Sequence, residues 1–420
     1  MQESIKIIFA NVIGTTLEYF DYALYGLSIP IIAPLFFPSN KPVHSALLAW
    51  STIGISLLIR PFSAVMLGYY GDRVGRKKIL NFTVLLMAFS TTLFGLLPTY
   101  SQIGIMAPIL LIFCRIAQGI AVSAEYNGSC IYLIEMFGKN KSFVASTVVF
   151  ACGLGIMIAS ILTLLLISMH ITYNFDVWRA PFIIGGILAG TIGFHLIKSI
   201  PETHSFLASK NSNKNLENPF RDLFGSKKSI MLNTMFLSGY SGTVTYILTV
   251  YLSFYLQTVI GMNIHEALLI VIISSFIGTL TAPIFGLLGD SKGQRNVMLT
   301  SLIVTILLSI PVFSIIQANN KVLITMVVSI TCICNASFCA PFASLLPNLF
   351  QPEVRYSGMG ISFNLGAALI GGLAPIIITS LTDLTNNSLV PGFYMMVFAM
   401  LSLVVLWRSP VFCKTDNYHA

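Results

Sequence analysis

The sequence predicts an all-α membrane protein, with twelve transmembrane helices in two six-helix bundles and both termini in the cytoplasm. Three observations predict this class: a composition poor in charge, a series of long apolar runs, and a one-sided distribution of lysine and arginine. The chain of 420 residues is 55% hydrophobic and only 9% charged, whereas about a quarter of the residues in a soluble domain are charged. Its mean hydropathy is +0.84, which excludes an ordinary soluble domain.

The apolar runs are long enough to cross a bilayer, which takes about 20 helical residues. The first run has no small-residue cleavage site, so we expect it to be retained as a span rather than removed as a signal peptide. The twelve predicted spans lie near 7–35, 46–70, 79–97, 105–136, 143–168, 180–199, 230–258, 266–288, 297–316, 322–349, 358–381 and 392–409.

Lysine and arginine gather on one side of these spans. With the N-terminus in the cytoplasm, eighteen of them lie at inner ends and loops, and Lys41, Arg179 and Lys321 lie outside. Basic residues are enriched in cytoplasmic loops, so both termini are predicted to be cytoplasmic. The same distribution accounts for the net charge of +8, and nucleic acid is not an expected partner.

A polar stretch and two internal repeats divide the chain. Residues 200–229 are predicted to be a cytoplasmic linker between an N-terminal bundle, 1–199, and a C-terminal bundle, 230–420. The stretches 68-GYYGDRVGRKK-78 and 286-GLLGDSKGQRN-296 share the pattern G-x-x-G-D-x-x-G, and 135-EMFGKNKSF-143 corresponds to 349-LFQPEVRYSG-358. Both repeated stretches are predicted to be loops, in which glycine permits the sharp turn. Internal repeats in a helical membrane protein indicate a transporter whose substrate site lies between the halves.

Charge in the interior of the predicted spans lies in the first half of the chain, apart from Glu266 at the outer start of the eighth span. An ionisable residue within a span is costly and marks a functional site by default. This set consists of Glu18, Asp21, Arg60, Arg115 and Glu125, with Glu135 near a cytoplasmic end. We therefore expect the first half to carry charge-dependent chemistry and the second to supply neutral contacts.

Two pairs of these residues share helix faces. Glu18 and Asp21 are three residues apart, as are Arg115 and Gln118, and that spacing places side chains on one side of a helix. Asp21 lies midway along the first span and Arg115 in the outer half of the fourth, so an ion pair between them is expected. Whether Glu18 and Glu125 bind substrate, bind a proton or only bridge helices is left open.

The remaining candidates are a neutral substrate cavity and a cytoplasmic gate. Aromatic faces suit a quaternary ammonium, whereas packing is the commoner role of buried tyrosines, and Arg60 is either a cavity residue or a long side chain reaching the interface. The substrate-cavity candidates are Glu18, Tyr22, Tyr25, Arg60, Gln118, Tyr251, Tyr255, Asn335 and Asn364. The gate candidates are Gly68, Gly71, Asp72, Arg73, Gly75, Arg76, Glu135, Asp290, Arg295 and Arg355.

Several motifs together resemble one known family. They are 17-LEYFDYALYG-26, 60-RPFSAVMLGYYGDRVGRKK-78, 115-RIAQGIAVSAEYNGSCIYLIE-135, 178-WRAPF-182 with 201-PETHSF-206, and 353-EVRYSGMGISFN-364. They resemble the major facilitator superfamily, in particular the metabolite:proton symporters that include proline/betaine, shikimate, citrate and oxoglutarate carriers. Amino-acid transporters of intracellular bacteria share the same general pattern. The chain departs from that branch at Ser123-Ala124-Glu125, where Gly-Gly-Glu is usual, at Pro347-Asn348, where an acid is usual, and at Asp290-Ser291.

The resemblance implies a major facilitator fold in a bacterial inner membrane and proton-coupled symport of a small metabolite by alternating access. Sugar:proton symporters of the superfamily use an acid in helix one and an arginine in helix four, and Asp21 and Arg115 occupy similar positions. Glu125 is the next candidate for proton coupling. No cofactor or metal is expected, and the chain is expected to be a monomer.

The kind of substrate follows from the available charges. A carboxylate needs a cation such as Arg60 or Arg115, and a dicarboxylate needs a second cation, which spans seven to twelve do not contain. An amino acid or betaine is therefore favoured over a di- or tricarboxylate. An uncoupled facilitator and a solute sensor with a transport fold are the alternatives of other classes. ATP-driven pumping is not expected, because the sequence contains no P-loop. An enzyme is not expected, because the sequence contains no His-rich metal pattern and no arrangement of nucleophile and base.

Overall fold

The computed structural model describes residues 2–40, 42–168, 177–199, 201–202, 228–352 and 354–409. These residues form helices and connections, with no β-strand among them. We number the long helices α1 (Gln2–Phe36), α2 (Pro42–Val74), α3 (Arg76–Leu96), α4 (Met106–Met136), α5 (Lys141–Ser168), α6 (Ala180–Ser199), α7 (228–258), α8 (Ile264–Lys292), α9 (Gln294–Gln317), α10 (Lys321–Asn348), α11 (Arg355–Thr385) and α12 (Val390–Arg408). A single turn, Tyr100–Ile103, and a 3₁₀ turn, Val177–Arg179, lie between them.

Ten of these helices are long and apolar enough to cross a membrane, namely all except α1 and α7. The chain is therefore a multi-pass membrane protein, as predicted. Three helices contain one π-helical turn each: Ala189–Gly193 in α6, Ile247–Tyr251 in α7 and Ala367–Gly372 in α11. The predicted linker, 200–229, lies almost wholly outside the described residues.

The two repeated glycine motifs are not loops, and this corrects the prediction. Helix α2 continues to Val74 and α3 begins at Arg76, so the connection is Gly75 alone, with φ of 118°. The second copy has the same form, with Gly293 at φ 89° between α8 and α9. Only glycine adopts these angles without strain, so one residue suffices for the reversal.

The other glycines of the motif permit close helix packing. A Cβ at Gly68 would lie 2.8 Å from the Cα of Ser357 in α11. A Cβ at Gly286 would lie 2.6 Å from the Oγ of Ser146 in α5. Small residues let helix backbones approach closely, so α2 packs on α11 and α8 packs on α5.

These contacts join the two halves of the chain symmetrically. Within the first half α1 packs on α5, and α4 packs on α2 and α3; within the second, α10 packs on α8 and α9, and α7 packs on α11. Between the halves the main contacts are α2 with α11, and α5 with α8 and α10. If α2 is matched with α8, and α5 with α11, the α2–α11 and α8–α5 contacts are equivalent, as expected for an internal repeat.

Candidate functional site

Buried charge lies only in the first half of the described chain. Counted over the whole residue, the charged residues less than a tenth exposed are Glu18, Asp21, Arg60, Arg76, Arg115 and Glu125. The side chains of Asp72 and Glu135 are buried as well, at 5% and 1% exposed. In 228–352 and 354–409 the buried polar side chains are hydroxyls and amides, among them Gln294 and Asn364. The charge asymmetry read from the sequence is therefore present in the folded chain.

Asp21 lies at the centre of a polar cluster between α1, α3 and α4. Its Oδ2 is 3.8 Å from Nη1 of Arg115, and its Oδ1 accepts hydrogen bonds from Thr91, at 2.8 Å, and from Gln118, at 3.0 Å. The amide of Gln118 also donates to the hydroxyl of Thr91, at 3.1 Å. The structure thus brings together the predicted pair, and it adds Thr91, a neutral residue that the sequence did not single out.

Arg115 is held mainly by an aromatic ring. Its guanidinium lies 3.5 Å from the ring centroid of Tyr25, close enough for a cation–π interaction. The Tyr25 hydroxyl is 2.7 Å from that of Thr52 in α2. Nε and Nη2 of Arg115 have no hydrogen-bond partner in the part of the chain that the structure describes, so several of its donors are not used by the ion pair.

Glu18 and Glu125 line a small pocket inside the first half of the chain. Its volume is about 10 Å³, and its other walls come from α3, α4 and α6. The Oε2 of Glu125 accepts a hydrogen bond of 2.7 Å from the hydroxyl of Thr83. Gly14 leaves room for this carboxyl, because a Cβ at that position would lie 2.6 Å from Oε1 of Glu125.

Arg60 and Tyr22 lie near the boundary between the halves. The Arg60 guanidinium is 5.9 Å from the Tyr22 ring centroid, and that ring is 5.4 Å from Tyr246 in α7. Pro61 follows Arg60 inside α2. Arg60 is therefore a buried cation beside Tyr22, and Tyr22 in turn contacts a tyrosine of the other half.

A cavity of about 110 Å³ lies between the two halves. Helices α1, α4 and α5 form one side of it, and α7, α8, α10 and α11 form the other. None of the described residues that line it is charged. Its aromatic, polar and thiol side chains are those of Tyr19, Tyr126, Phe363, Ser241, Thr245, Thr249, Ser275, Thr279, Asn335, Cys152, Cys332 and Cys339.

Of the residues predicted for the substrate cavity, Asn335 is the one placed in this lining. Its Nδ2 donates to the Thr245 hydroxyl at 3.1 Å. Across the cavity, the rings of Tyr126 and Phe363 stack at 4.9 Å and join α4 to α11. Asn364, next along the chain, donates to the carbonyl of Ser123 at 2.8 Å, so it is a contact between the halves.

Tyr251 and Tyr255 pack away from the cavity, within the second half. Their ring centroids are 6.1 Å apart, and the Tyr255 hydroxyl donates to the carbonyl of Ser388 at 2.8 Å. Gln118 and Tyr25, also predicted for the cavity, lie in the cluster around Asp21 described above. Spacing along the sequence identified these side chains as buried and polar, but it did not distinguish the cavity from the interior of a bundle.

At the end of α2 the halves are joined by a charged cluster, which we call the first corner: Asp72, Arg76, Glu135, Arg355 and Ser357. Glu135 accepts from Arg355 at 3.0 Å and lies 3.6 Å from Arg76. Asp72 lies 3.4 Å from Arg76, and accepts from the backbone N–H and hydroxyl of Ser357 at 3.3 and 2.9 Å. The first corner thus joins α2, α3 and α4 to the N-terminus of α11.

The repeat forms a second corner at the end of α8: Ser142, Phe143, Asp290, Gln294 and Ser344. Asp290 accepts from the backbone N–H groups of Ser142 and Phe143, both at 2.9 Å, at the N-terminus of α5. Gln294 occupies the position of Arg76 and donates to the hydroxyls of Ser142 and Ser344 at 2.9 and 2.8 Å. In each corner an aspartate of one half accepts hydrogen bonds from backbone N–H groups at the N-terminus of a helix of the other half. Negative charge is favourable at that end of a helix.

The other predicted gate residues surround these corners. Arg73 stacks on the ring of Tyr69 at 4.0 Å, and Arg295 donates to the carbonyls of Leu406 and Trp407 at the end of α12. Glu202, from the quoted 201-PETHSF-206, accepts from the backbone N–H groups that begin α3. Glu202 therefore joins the chain after α6 to the start of α3, next to the first corner.

The fold and the buried polar groups between two repeated halves define a multi-pass transporter. The family model of the Major Facilitator Superfamily matches residues 12–375, and the chain belongs to this superfamily of transporters, which is not a class of enzymes. The predicted family is thereby confirmed.

Relatives and solved structures agree with this assignment. The Proline/betaine transporter of Escherichia coli (strain K12) is 31% identical over 412 residues, which are 95% of this chain and 82% of that one. The Glycine betaine/proline/ectoine/pipecolic acid transporter OusA of Dickeya dadantii (strain 3937) is 30% identical over the same shares of the two chains. The proton:xylose symporter XylE, solved with 6-bromo-6-deoxy-D-glucose, is 15% identical with a TM-score of 0.81, covering 97% of this chain and 96% of that one; this likeness concerns the fold.

Proposed function

We propose that the chain is a proton-coupled symporter of a zwitterionic solute, proline or glycine betaine, in a bacterial inner membrane. The observation that carries this proposal is the cavity between the halves, which is lined by aromatic rings, hydroxyls and an amide but by no charged residue of the described chain. Such a lining suits a solute without net charge, because aromatic faces attract a quaternary or secondary ammonium. Arg60 and Arg115, the cations expected for the carboxylate of the solute, are not in the lining, so its hydroxyls and its amide are the groups that donate hydrogen bonds to that carboxylate. The relatives named for proline and betaine transport support the same substrate class.

Coupling is assigned to Asp21 and Arg115, with Glu125 as a further participant. The 3.8 Å separation and the unused donors of Arg115 fit a pair that breaks and reforms during transport. A neighbouring arginine favours the charged carboxylate, whereas burial without it favours the protonated form. Each positive charge moved inward gains about 2.3 kcal/mol per 100 mV, enough to concentrate a neutral solute about fifty-fold.

The proposed topology has all twelve long helices crossing the bilayer, with both termini in the cytoplasm and the chain acting as a monomer. The one-sided distribution of lysine and arginine supports this orientation. The two corners then lie on the cytoplasmic side, where they close the path between bundles 1–199 and 230–420. Substrate enters from outside, and both corners separate before it leaves.

The test is uptake by purified protein in proteoliposomes. Labelled proline, glycine betaine, oxoglutarate and threonine are offered with and without an imposed pH gradient. We expect accumulation of proline or betaine that requires the gradient. Gradient-dependent uptake of oxoglutarate alone would instead support an organic-acid symporter, and uptake indifferent to the gradient would support an uncoupled facilitator.

Asp21→Asn tests the coupling residue. We expect this variant to lose accumulation while it still exchanges internal for external solute, because the cavity is intact but the acid can no longer carry a proton. Asp383→Asn is the matched control, since it makes the same change at an exposed acid and should transport normally. Full accumulation by Asp21→Asn would place coupling at another acid, with Glu125 the first to examine.

A further inference from the structure

The pocket that Glu18 and Glu125 line differs from every other buried acid site in the described chain. Both side chains are 4% exposed. Asp21, Asp72 and Glu135 each have an arginine as an ion-pair partner, but Glu18 and Glu125 form no ion pair within the described residues. Two carboxylates that are buried together without an ion-pair partner repel each other, so at least one of them is expected to be protonated.

Glu18 also lacks a hydrogen-bond partner where one is expected. Its Oε2 is buried and makes no hydrogen bond to any described residue, and its side chain lines the pocket. A pocket of about 10 Å³ is close to the smallest space that holds one water molecule. One water between the two acids would satisfy this oxygen.

Thr83 indicates where a proton is bound. Its hydroxyl is 3.0 Å from the carbonyl of Leu80 and 2.7 Å from Oε2 of Glu125, yet a hydroxyl has a single hydrogen to donate. Threonine in a helix commonly donates to a carbonyl of the preceding turn. Both contacts are complete hydrogen bonds if the carboxyl group of Glu125 is protonated and donates to Thr83, which in turn donates to Leu80.

The other groups around the pocket are neutral or more distant. Arg60 in α2 is the cation that acts on Glu18 electrostatically, without an ion pair. The remaining titratable neighbours are tyrosines and cysteines from α1, α4, α5 and α11, namely Tyr19, Tyr126, Cys130, Cys152 and Tyr356. Apart from the two acids and Thr83, the lining is apolar side chains and Gly14, so a metal cation would lack most of the oxygen ligands it requires.

We propose that Glu18, Glu125 and Thr83 form a proton-binding site that holds one proton for the two carboxyl groups. Glu125 carries the proton and donates to Thr83, and a single water molecule bridges the other oxygen of Glu125 to Glu18. The site is separate from the Asp21 cluster. Thr83 and Thr91, which serve the two sites from α3, are eight residues and therefore about 12 Å apart along the helix. The use of this proton in coupling rests on the proposed function, but its binding does not.

The site also lies beside a contact between the halves. Tyr356, at the start of α11, donates to the carbonyl of Ala124 at 3.0 Å, next to Glu125. The first corner holds the same end of α11 in place through Ser357. If the first corner separates, Tyr356 moves away from Ala124 and no longer covers Glu125. Release of the shared proton is thereby linked to separation of the two halves at the first corner.

The test is infrared difference spectroscopy of the purified protein during a pH titration, in ordinary and in heavy water. We expect a carbonyl band of a protonated carboxyl group that disappears at alkaline pH. Because Glu125 carries the proton, Glu125→Gln should abolish the band and the double variant should lose nothing more. Glu18→Gln should keep the band and lower the pH at which it disappears, since the neighbouring carboxylate that favours the proton is removed. Thr83→Val should keep the band and shift its frequency, since the hydrogen bond to the hydroxyl is lost, whereas Glu266→Gln at an exposed acid should leave it unchanged.

Several results would overturn the proposal. They are no titrating band in the wild-type protein, loss of half its intensity in each single variant, or no change of frequency in Thr83→Val. Thermal unfolding in sodium chloride and in Tris chloride provides a second measurement, and stabilisation by sodium that Glu18→Gln abolishes would assign the pocket to a metal ion instead. The band does not depend on transport, so a failed uptake assay with an intact band would contradict the proposed function and not this site.

Discussion

The first and second corners have the same backbone design but different side-chain chemistry. Each begins at a one-residue glycine turn, Gly75 or Gly293, and each directs an aspartate at a helix N-terminus of the other half. The first corner adds Arg76, Glu135 and Arg355, whereas the second has Gln294 with two serines at the equivalent place. The two corners therefore share the helix-terminus contact, and the charged cluster is present on one side only.

The difference predicts unequal sensitivity to mutation. Removing one partner of a buried ion pair costs roughly 3–5 kcal/mol, because the remaining charge stays buried without compensation. A hydrogen bond between neutral groups contributes about 1 kcal/mol. The first corner should accordingly be the more easily disrupted by a single change.

Arg76→Gln should have the largest effect, since it gives the first corner the residue found in the second. Asp72 loses its arginine and Glu135 retains only Arg355, so the opening free energy at this corner should fall by roughly 3–5 kcal/mol. Hydrogen exchange of the α11 N-terminus, measured in nanodiscs, should then accelerate by a hundredfold or more. Gln294→Met is the matched control, and equal acceleration at both corners would contradict the comparison.

Asp290→Asn should have an intermediate and local effect. The aspartate accepts from two backbone N–H groups of α5, and the amide offers one acceptor and no charge, so the loss should be about 1–2 kcal/mol. Exchange should increase at Ser142 and Phe143 while the amide of Ser357 serves as an unchanged internal reference. A rise at Ser357 of the same size would show that the corners open together.

Ser344→Ala should have the smallest effect. Gln294 loses one of its two hydroxyl acceptors and keeps Ser142, so the cost should be about 0.5–1 kcal/mol. A small decrease in thermal stability of the purified protein measures it, with the exposed Ser291→Ala as control. A decrease as large as that of Arg76→Gln would mean that the neutral corner is as sensitive as the charged one, which would contradict the comparison.

The sequence predicted well those features that rest on charge in an apolar setting. Asp21 and Arg115 stand out because ionisable residues are rare within spans, and the structure places them 3.8 Å apart. Thr83 and Thr91 could not be found this way, because threonine is common in apolar helices and only the fold brings these two hydroxyls to the acids. The membrane class followed from the composition, which is poor in charge, and the family followed from the motifs.

Helix ends and cavity residues were predicted less well. The motif glycines were assigned to loops because glycine usually marks a turn, yet Gly68 and Gly71 lie within α2 and let α11 approach. Tyr251 and Tyr255 were candidates for the cavity because of their spacing, but spacing along a helix does not reveal which neighbour covers each face. Such choices depend on contacts between distant parts of the chain.

The π-helical turns in α7 and α11 have a consequence for aligning the two halves. A π turn adds about one residue to a helical turn, and α1 and α5, the counterparts of these helices in the first half, have none within the described chain. An alignment of the halves therefore needs a one-residue gap near 247 and another near 367. After residue 247, each residue of α7 corresponds to a residue of α1 one position away from the residue that an ungapped alignment would assign. This applies to Tyr251 and Tyr255.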